Sequence, residues 1–166
     1  MKRLLLIRHA KSSWKDNAPD DSQRPLNKRG KRDAPFMGKL LAKESISPQL
    51  IVSSPAVRAF STATIIAKEL NYPHTKIVMN KLIYDGGLNS LFDVVKSLDN
   101  ELNIVFLFGH NPGLTIFSNF ISDKEIDNIP TCGIVGVDLD ISNWEEIDQN
   151  SGHTFMYEYP KKYFNK

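Results

Sequence analysis

The residues of this chain best suited to chemistry are Arg8-His9-Ala10, which follow directly on the apolar run Leu4-Leu5-Leu6-Ile7. Four apolar residues followed at once by a guanidinium and an imidazole read as a buried parallel strand that delivers two polar groups to its C-terminal end. In open α/β sheets, ligands bind outside those ends. A histidine held beside a fixed cation suits a nucleophile waiting for an anion, most naturally a phosphate. Two further groups fit the same chemistry. Arg58 falls in the first turn of a helix expected after Ser53-Ser54-Pro55. Helical side chains tilt towards the helix N-terminus, so its guanidinium points back to the same end of the sheet. His110 lies in the turn Gly109-His110-Asn111-Pro112-Gly113, just before an Asn111 cap, where free N–H groups of the next helix add partial positive charge.

Together these types describe a phosphoryl site. Two arginines match phosphoryl oxygens with planar forks and neutralise the charge of an in-line transfer. They also disfavour the protonated form of His9, keeping its lone pair free. His110 would donate to a phosphoryl oxygen. No metal or other cofactor is required, because the cations are built in.

The elements that must hold these residues alternate. Leu4–Ile7 is the first strand, and Lys11 to Arg24 is expected to loop over the rim. Asn27 can cap a helix from Lys28 towards Glu44, with Ala34, Met37, Leu40 and Leu41 on its apolar face and Pro35 expected to kink or split it. Leu50-Ile51-Val52 is a second strand; Ser53 or Ser54 can cap the next helix, Pro55 suits its first position, and Ala59, Ala63, Ile66, Ala67 and Leu70 face the core. Ile77-Val78-Met79 reads as a third strand, and a helix starts at Asn89 or Ser90 with Leu91, Val94, Val95 and Leu98 on one face. Ile104 to Phe108 lacks polar alternation and belongs in the centre of the sheet. A helix then runs through Ile121, and Ile134–Leu139 and Thr154–Tyr159 are later strands around a loop holding Trp144. The pattern implies one α/β domain over residues 1–166 with mostly parallel pairing.

At 166 residues, with 41% hydrophobic and 24% charged residues, the chain suits a single core. No stretch approaches the roughly 20 apolar residues of a membrane span. Met1-Lys2-Arg3 before the first apolar run imitates a signal peptide, but charge returns at Arg8 and the stretch is too short for export. The single cysteine, Cys132, fits a reducing cytoplasm. Residues 1–32 hold ten Lys/Arg against three Asp/Glu, and the remainder eleven against sixteen. Pro25, Gly30 and acidic side chains interrupt the basic residues and no aromatic platform accompanies them. They read as a field around an anion pocket rather than a nucleic-acid surface. Nothing in the sequence signals an oligomeric state.

This ordered set of motifs resembles the histidine phosphatase superfamily, the phosphoglycerate mutase-like group, whose signature is Arg-His-Gly at the end of the first strand. Ala10 in the third position is similar to the small SixA-type phosphohistidine phosphatases. Arg8-His9-Ala10-Lys11-Ser12, Arg24-Pro25-Leu26-Asn27, Arg29-Gly30, Ser53-Ser54-Pro55 with Arg58-Ala59 and Thr62-Ala63, and Gly109-His110-Asn111-Pro112-Gly113 carry the resemblance. It implies a three-layer α/β/α sandwich around a mixed six-stranded sheet with one late strand antiparallel. It also implies that His9 becomes phosphorylated, with Arg8, Arg58 and His110 completing the catalytic set. Lys11, Ser12, Asn111 and Asp85 are the further candidates for substrate binding, and a phosphorylated protein is the expected partner.

One departure concerns the proton donor. Mutase-like relatives place an acid after the third strand, and in Leu82-Ile83-Tyr84-Asp85-Gly86-Gly87 the only nearby candidate is Asp85, which better suits a cap or turn before two glycines. Phosphate esters need a good acid, whereas a protonated imidazole leaves a phosphoramidate without help. Broad phosphomonoesterase or small-metabolite phosphatase activity, and a non-catalytic phospho-ligand module, remain alternatives. Other phosphatase chemistries fit poorly. A Cys132 nucleophile would need an arginine six residues on, where Asp138 stands. Asp138-Leu139-Asp140 comes too late in the chain for an aspartate nucleophile and reads as a strand end. His9, His74, His110 and His153 lack metal-ligand spacing.

Overall fold

The computed structural model describes residues 1–14, 20–85 and 87–164. Strands β1 (Lys2–Arg8), β2 (Leu50–Ser53), β3 (Val78–Met79), β4 (Ile104–Gly109), β5 (Ile134–Leu139) and β6 (Gly152–Glu158) form one sheet. Their order is β3-β2-β4-β1-β5-β6. The first four pair in parallel, and β5 runs antiparallel to both β1 and β6. The expected mixed sheet with a single reversed late strand is therefore observed, with β4 and β1 at its centre.

The layers follow from strand alternation. Leu4 and Leu6 of β1 join one core cluster with Leu91 and Val94 of α4 (Leu88–Lys96) and Leu114 and Phe117 of α5 (Gly113–Ile121). Leu5 and Ile7 join the opposite cluster with Met37 of α1 (Lys28–Lys43) and Ala63 and Ile66 of α2 (Val57–Glu69). All four β1 side chains are fully buried. At about 1.5–3 kcal/mol for each buried aliphatic side chain, this strand anchors the sheet, and the residues that follow it inherit a fixed position. Among the described residues no helix is long and apolar enough to cross a membrane.

Local departures have physical reasons. Helix α1 starts as expected, with the Asn27 side chain accepting the Gly30 N–H at 2.9 Å, but it runs unbroken through Pro35. The carbonyl that Pro35 leaves without a donor belongs to Lys31, which is exposed, while Ala34, Met37 and Leu41 hold the helix against the sheet. Pro55 is not the first residue of α2. The backbone stays extended at Ala56, helix begins at Val57, and no side chain caps it. The third strand shortens to two exposed residues at the sheet edge. An additional one-turn helix, α3 (Lys81–Asp85), precedes α4, which starts at Leu88. Of the loop expected over Lys11 to Arg24, residues 15–19 lie outside the described residues, as does Gly86 of the turn after Asp85; Ser12 bridges to Leu26, and Asp21–Gln23 forms a 3-10 turn.

Candidate active site

Strand register brings the polar groups together. Arg8 pairs with Gly109, so the residues after β1 and β4 leave the sheet side by side, and the His9 N–H donates to the Gly109 carbonyl at 3.1 Å. From β2, the Ser54 N–H donates to the Phe108 carbonyl at 3.0 Å. Arg8, His9, Ser54 and His110 therefore share one rim, and α2 adds Arg58 in its first turn.

His9 is nearly buried, with 7% of its surface exposed. Its Nδ1 lies 2.7 Å from the Ala10 carbonyl, which can only accept, so Nδ1 carries the proton and Nε2 keeps the lone pair of the neutral ring. Burial lowers its pKa to about 3, against the Ala10 hydrogen bond; His110, Arg58 and Arg8 lower it further. The arginines thus act in the expected direction, but desolvation is the larger cause. The loop is tied to α2, since the Ala10 N–H donates to Thr62 Oγ1 at 2.9 Å and the Thr62 hydroxyl donates to the Arg58 carbonyl at 2.7 Å. On the other side the Lys11 carbonyl packs so tightly on α1 that a Cβ at Gly30 would stand 2.2 Å from it.

The cations are held but not saturated. Arg8 Nη1 donates to the Ile129 carbonyl at 2.8 Å. Arg58 donates through Nη1 to the Asp21 carbonyl oxygen at 2.7 Å and through Nη2 to its carboxylate at 2.9 Å. His110 Nε2 meets the Ser54 hydroxyl at 2.8 Å, and its ring centroid is 5.2 Å from that of His9. Burial and then Arg58 bring the His110 pKa down to about 4. Among the described residues, four buried side-chain polar atoms have no partner, and three are Arg8 Nε, Arg58 Nε and His110 Nδ1. An unsatisfied buried polar group costs about 1–3 kcal/mol, so an anion that accepts from this rim recovers part of that cost. The cavity measures about 190 Å³ and is bounded by Arg8, His9, Lys11, Ser12, Trp14, Arg24, Arg58, His110, Asn111 and Thr131, with no carboxyl group among them. A larger depression of about 500 Å³ near Asn119 and Phe120 has one cation, Lys124, beside Asp123 and Glu125, and does not suit an anion.

A model of the histidine phosphatase superfamily (branch 1) matches residues 4–82. The match takes in just under half of the chain, the part that holds Arg8, His9 and Arg58. An uncharacterized chloroplastic protein of Arabidopsis thaliana is 28% identical over 159 residues, covering 91% of this chain and 72% of that protein. The mitochondrial serine/threonine-protein phosphatase Pgam5 of Drosophila ananassae is 34% identical over 86 residues, covering 52% of this chain and 29% of Pgam5. The match thus spans well under half the length of Pgam5. The structure of the protein histidine phosphatase SixA complexed with tungstate superposes with a TM-score of 0.81, covering 96% of this chain and 98% of that one at 20% identity. That likeness shows the fold, a phosphoglycerate mutase-like mixed sheet between helical layers.

Seven of the eight expected site residues border the cavity. Asp85 does not: it is exposed at the end of α3, where the turn aims its neighbour Tyr84 at the site instead. Tyr84 packs edge-on against His110 at 5.6 Å and donates its hydroxyl to Asp21 at 2.8 Å. Asn111 is committed to structure. Its Nδ2 donates to the Ile129 carbonyl at 2.8 Å, the same oxygen that holds Arg8, and its Oδ1 accepts from the Thr115 hydroxyl at 2.9 Å. Ser12 Oγ accepts from Arg24 at 2.7 Å. Sequence reasoning missed Asp21 and Tyr84 and gave no role to Arg24, whose guanidinium lies 3.6 Å above the exposed Trp14 ring and donates to Asp21 at 3.0 Å. Cys132 is fully buried, with burial pushing its thiol upward, and Asp138 makes a two-point ion pair with Arg3.

Proposed function

We propose that residues 1–166 act as one phosphatase domain that hydrolyses phosphorylated histidine through a phosphohistidine intermediate on His9. The observation that carries this reading is the locked His9 ring: Nδ1 is committed to Ala10, and the lone pair of Nε2 belongs to a neutral, nearly buried imidazole among unsaturated cationic donors. In the first step that lone pair attacks phosphorus, the substrate P–N bond breaks, and its electron pair returns to the leaving ring. Arg8 and Arg58 bear the charge of the transferring phosphoryl group, and His110 donates to one of its oxygens. Water then attacks the phosphoenzyme, the P–Nε2 bond breaks back to His9, and the water proton leaves with phosphate.

The choice of phosphohistidine over an ester is supported by the absence of a carboxyl group among the described residues of the cavity wall and by the likeness to SixA. Trp14, 75% exposed at the mouth and stacked on Arg24, suits contact with a protein surface. A second reading, hydrolysis of phosphate monoesters, is favoured by the match to Pgam5. Incubation with a phosphorylated histidine-containing protein and with p-nitrophenyl phosphate separates the two. Turnover of the first, with acid-labile phosphate trapped on His9 and none in His9→Ala, is expected. Trapping on another residue contradicts the mechanism, and preference for the ester favours the second reading.

A further inference from the structure

A carboxylate beside the cations of an anion pocket opposes phosphate binding, and Asp21, which does not itself border the cavity, is paired with two cations that do, Arg58 and Arg24. It belongs to the 3-10 turn Asp21–Gln23 and meets Arg58 from outside: the Asp21 side chain is 44% exposed and that of Arg58 only 7%. His9 borders the same pocket and is nearly buried. In-line displacement sends the leaving group away from the attacking nitrogen, hence from nearly buried His9 towards solvent, and Asp21 is the more exposed partner of Arg58. The carboxylate is fixed there by Arg58 from α2, by Tyr84 from α3 and by Arg24 from its own segment, with Asp20 its chain neighbour and His110 beyond Tyr84. Burial pushes its carboxyl upward, but the bonds from Tyr84, Arg58 and Arg24 outweigh this and hold it at about 2. It is therefore a permanent negative charge and no proton donor at neutral pH.

We propose that Asp21 is a specificity-determining residue, whose charge favours a leaving group that is cationic before departure, a protonated imidazole, over one whose leaving oxygen becomes negative. The proposal rests on the phosphohistidine reading and names the residue that sets its substrate class. When His9 Nε2 bonds to phosphorus and the P–N bond breaks, a ring already protonated on its other nitrogen departs as neutral imidazole. Asp21 holds that ring in its protonated form and exchanges no proton. With an ester, the electron pair of the breaking P–O bond collects on oxygen beside a like charge.

The test compares phosphoimidazole and p-nitrophenyl phosphate, two small substrates that need no protein docking, on the wild-type chain, Asp21→Asn, Asp21→Ser and Asp21→Glu. The ratio is read on whichever neutral variant folds by circular dichroism. The neutral variant is expected to lower kcat/KM for phosphoimidazole and raise it for the ester, moving their ratio by about tenfold, the size of one partly screened charge at short range. Asp21→Glu is expected to keep the wild-type order. Equal losses on both substrates would mean that Asp21 merely props Arg58, and an unchanged ratio would mean that its charge is irrelevant; either overturns the proposal. A wild-type chain that hydrolyses the ester but neither phosphoimidazole nor phosphohistidine overturns the substrate reading itself, an outcome visible before any variant is made.

Discussion

Acidification from pH 7 to pH 5 is expected to remove about 4 kcal/mol of folding stability, half of it through the single ring of His9. Both site histidines are held neutral in the folded chain, His9 with a pKa of about 3 and His110 of about 4. In the unfolded chain each returns to an ordinary value near 6.5, so below that pH the unfolded state binds more protons than the folded state. Stability therefore falls as pH falls, and goes on falling until the folded values are reached. The slope is about 1.4 kcal/mol per pH unit for each group, which over the 1.5 units from about 6.5 to 5 amounts to roughly 2 kcal/mol each. Asp21 has the same sign, but its stabilisation is lost only below the ordinary carboxylate range near 4, outside this window. Against a typical total of about 5–15 kcal/mol the effect is large. Urea titrations at both pH values on the wild type and His9→Gln measure it, because glutamine can still donate to the Ala10 carbonyl but does not titrate. The wild type should lose about 4 kcal/mol and the variant about 2. A variant that keeps the full dependence, or a wild type that loses less than about 1 kcal/mol, refutes the idea that His9 is buried neutral.

Three other outcomes follow from the geometry. Arg8→Lys should reduce kcat/KM by about a hundredfold, since a lysine cannot bond the Ile129 carbonyl and a phosphoryl oxygen with one planar fork; steady-state kinetics on the folded variant check this. Gly30→Ala places a methyl group against the Lys11 carbonyl and should destabilise by about 1–3 kcal/mol, read as a lower thermal midpoint; an unchanged midpoint would show that the loop after β1 can retreat from α1. Asp85→Asn should alter turnover of phosphohistidine and of esters less than about twofold each, because the side chain is exposed and does not border the cavity. A large selective loss on esters would restore it as a general acid.

How much was legible depends on where each residue stands in the fold. Arg8, His9 and His110 could be read because each ends an apolar run long enough to declare itself a central strand, and parallel pairing then forces neighbouring strand ends onto one rim. Arg58 could be read because a helix after a strand end returns its first turn to the same place. Tyr84 could not be read, because its neighbour Asp85 was the only acid to weigh there and successive positions on a helix point about 100° apart, which sets the two side chains on different faces. The start of α2 was misplaced for a related reason, since an extended Ala56 after Pro55 postpones the first helical turn whatever capping residues precede it.

Asp21 was invisible on different grounds, and these bear on how the site works. It lies in a polar segment with no period, and its partners Arg58 and Tyr84 are 37 and 63 residues away. No local pattern encodes such a meeting; it exists only once β2 and β3 have placed their following helices beside the loop after β1. The strands thus set the invariant part of the chemistry, a nucleophile among cations, while the loops set the charge at the mouth. A carboxylate held at about 2 is ionised throughout the range in which His9 is a free base. Nucleophile and selecting charge therefore never compete for a proton between about pH 4 and 8, and above about pH 6, where His110 is neutral as well, any pH dependence of the first step arises in the leaving ring of the substrate rather than in these groups.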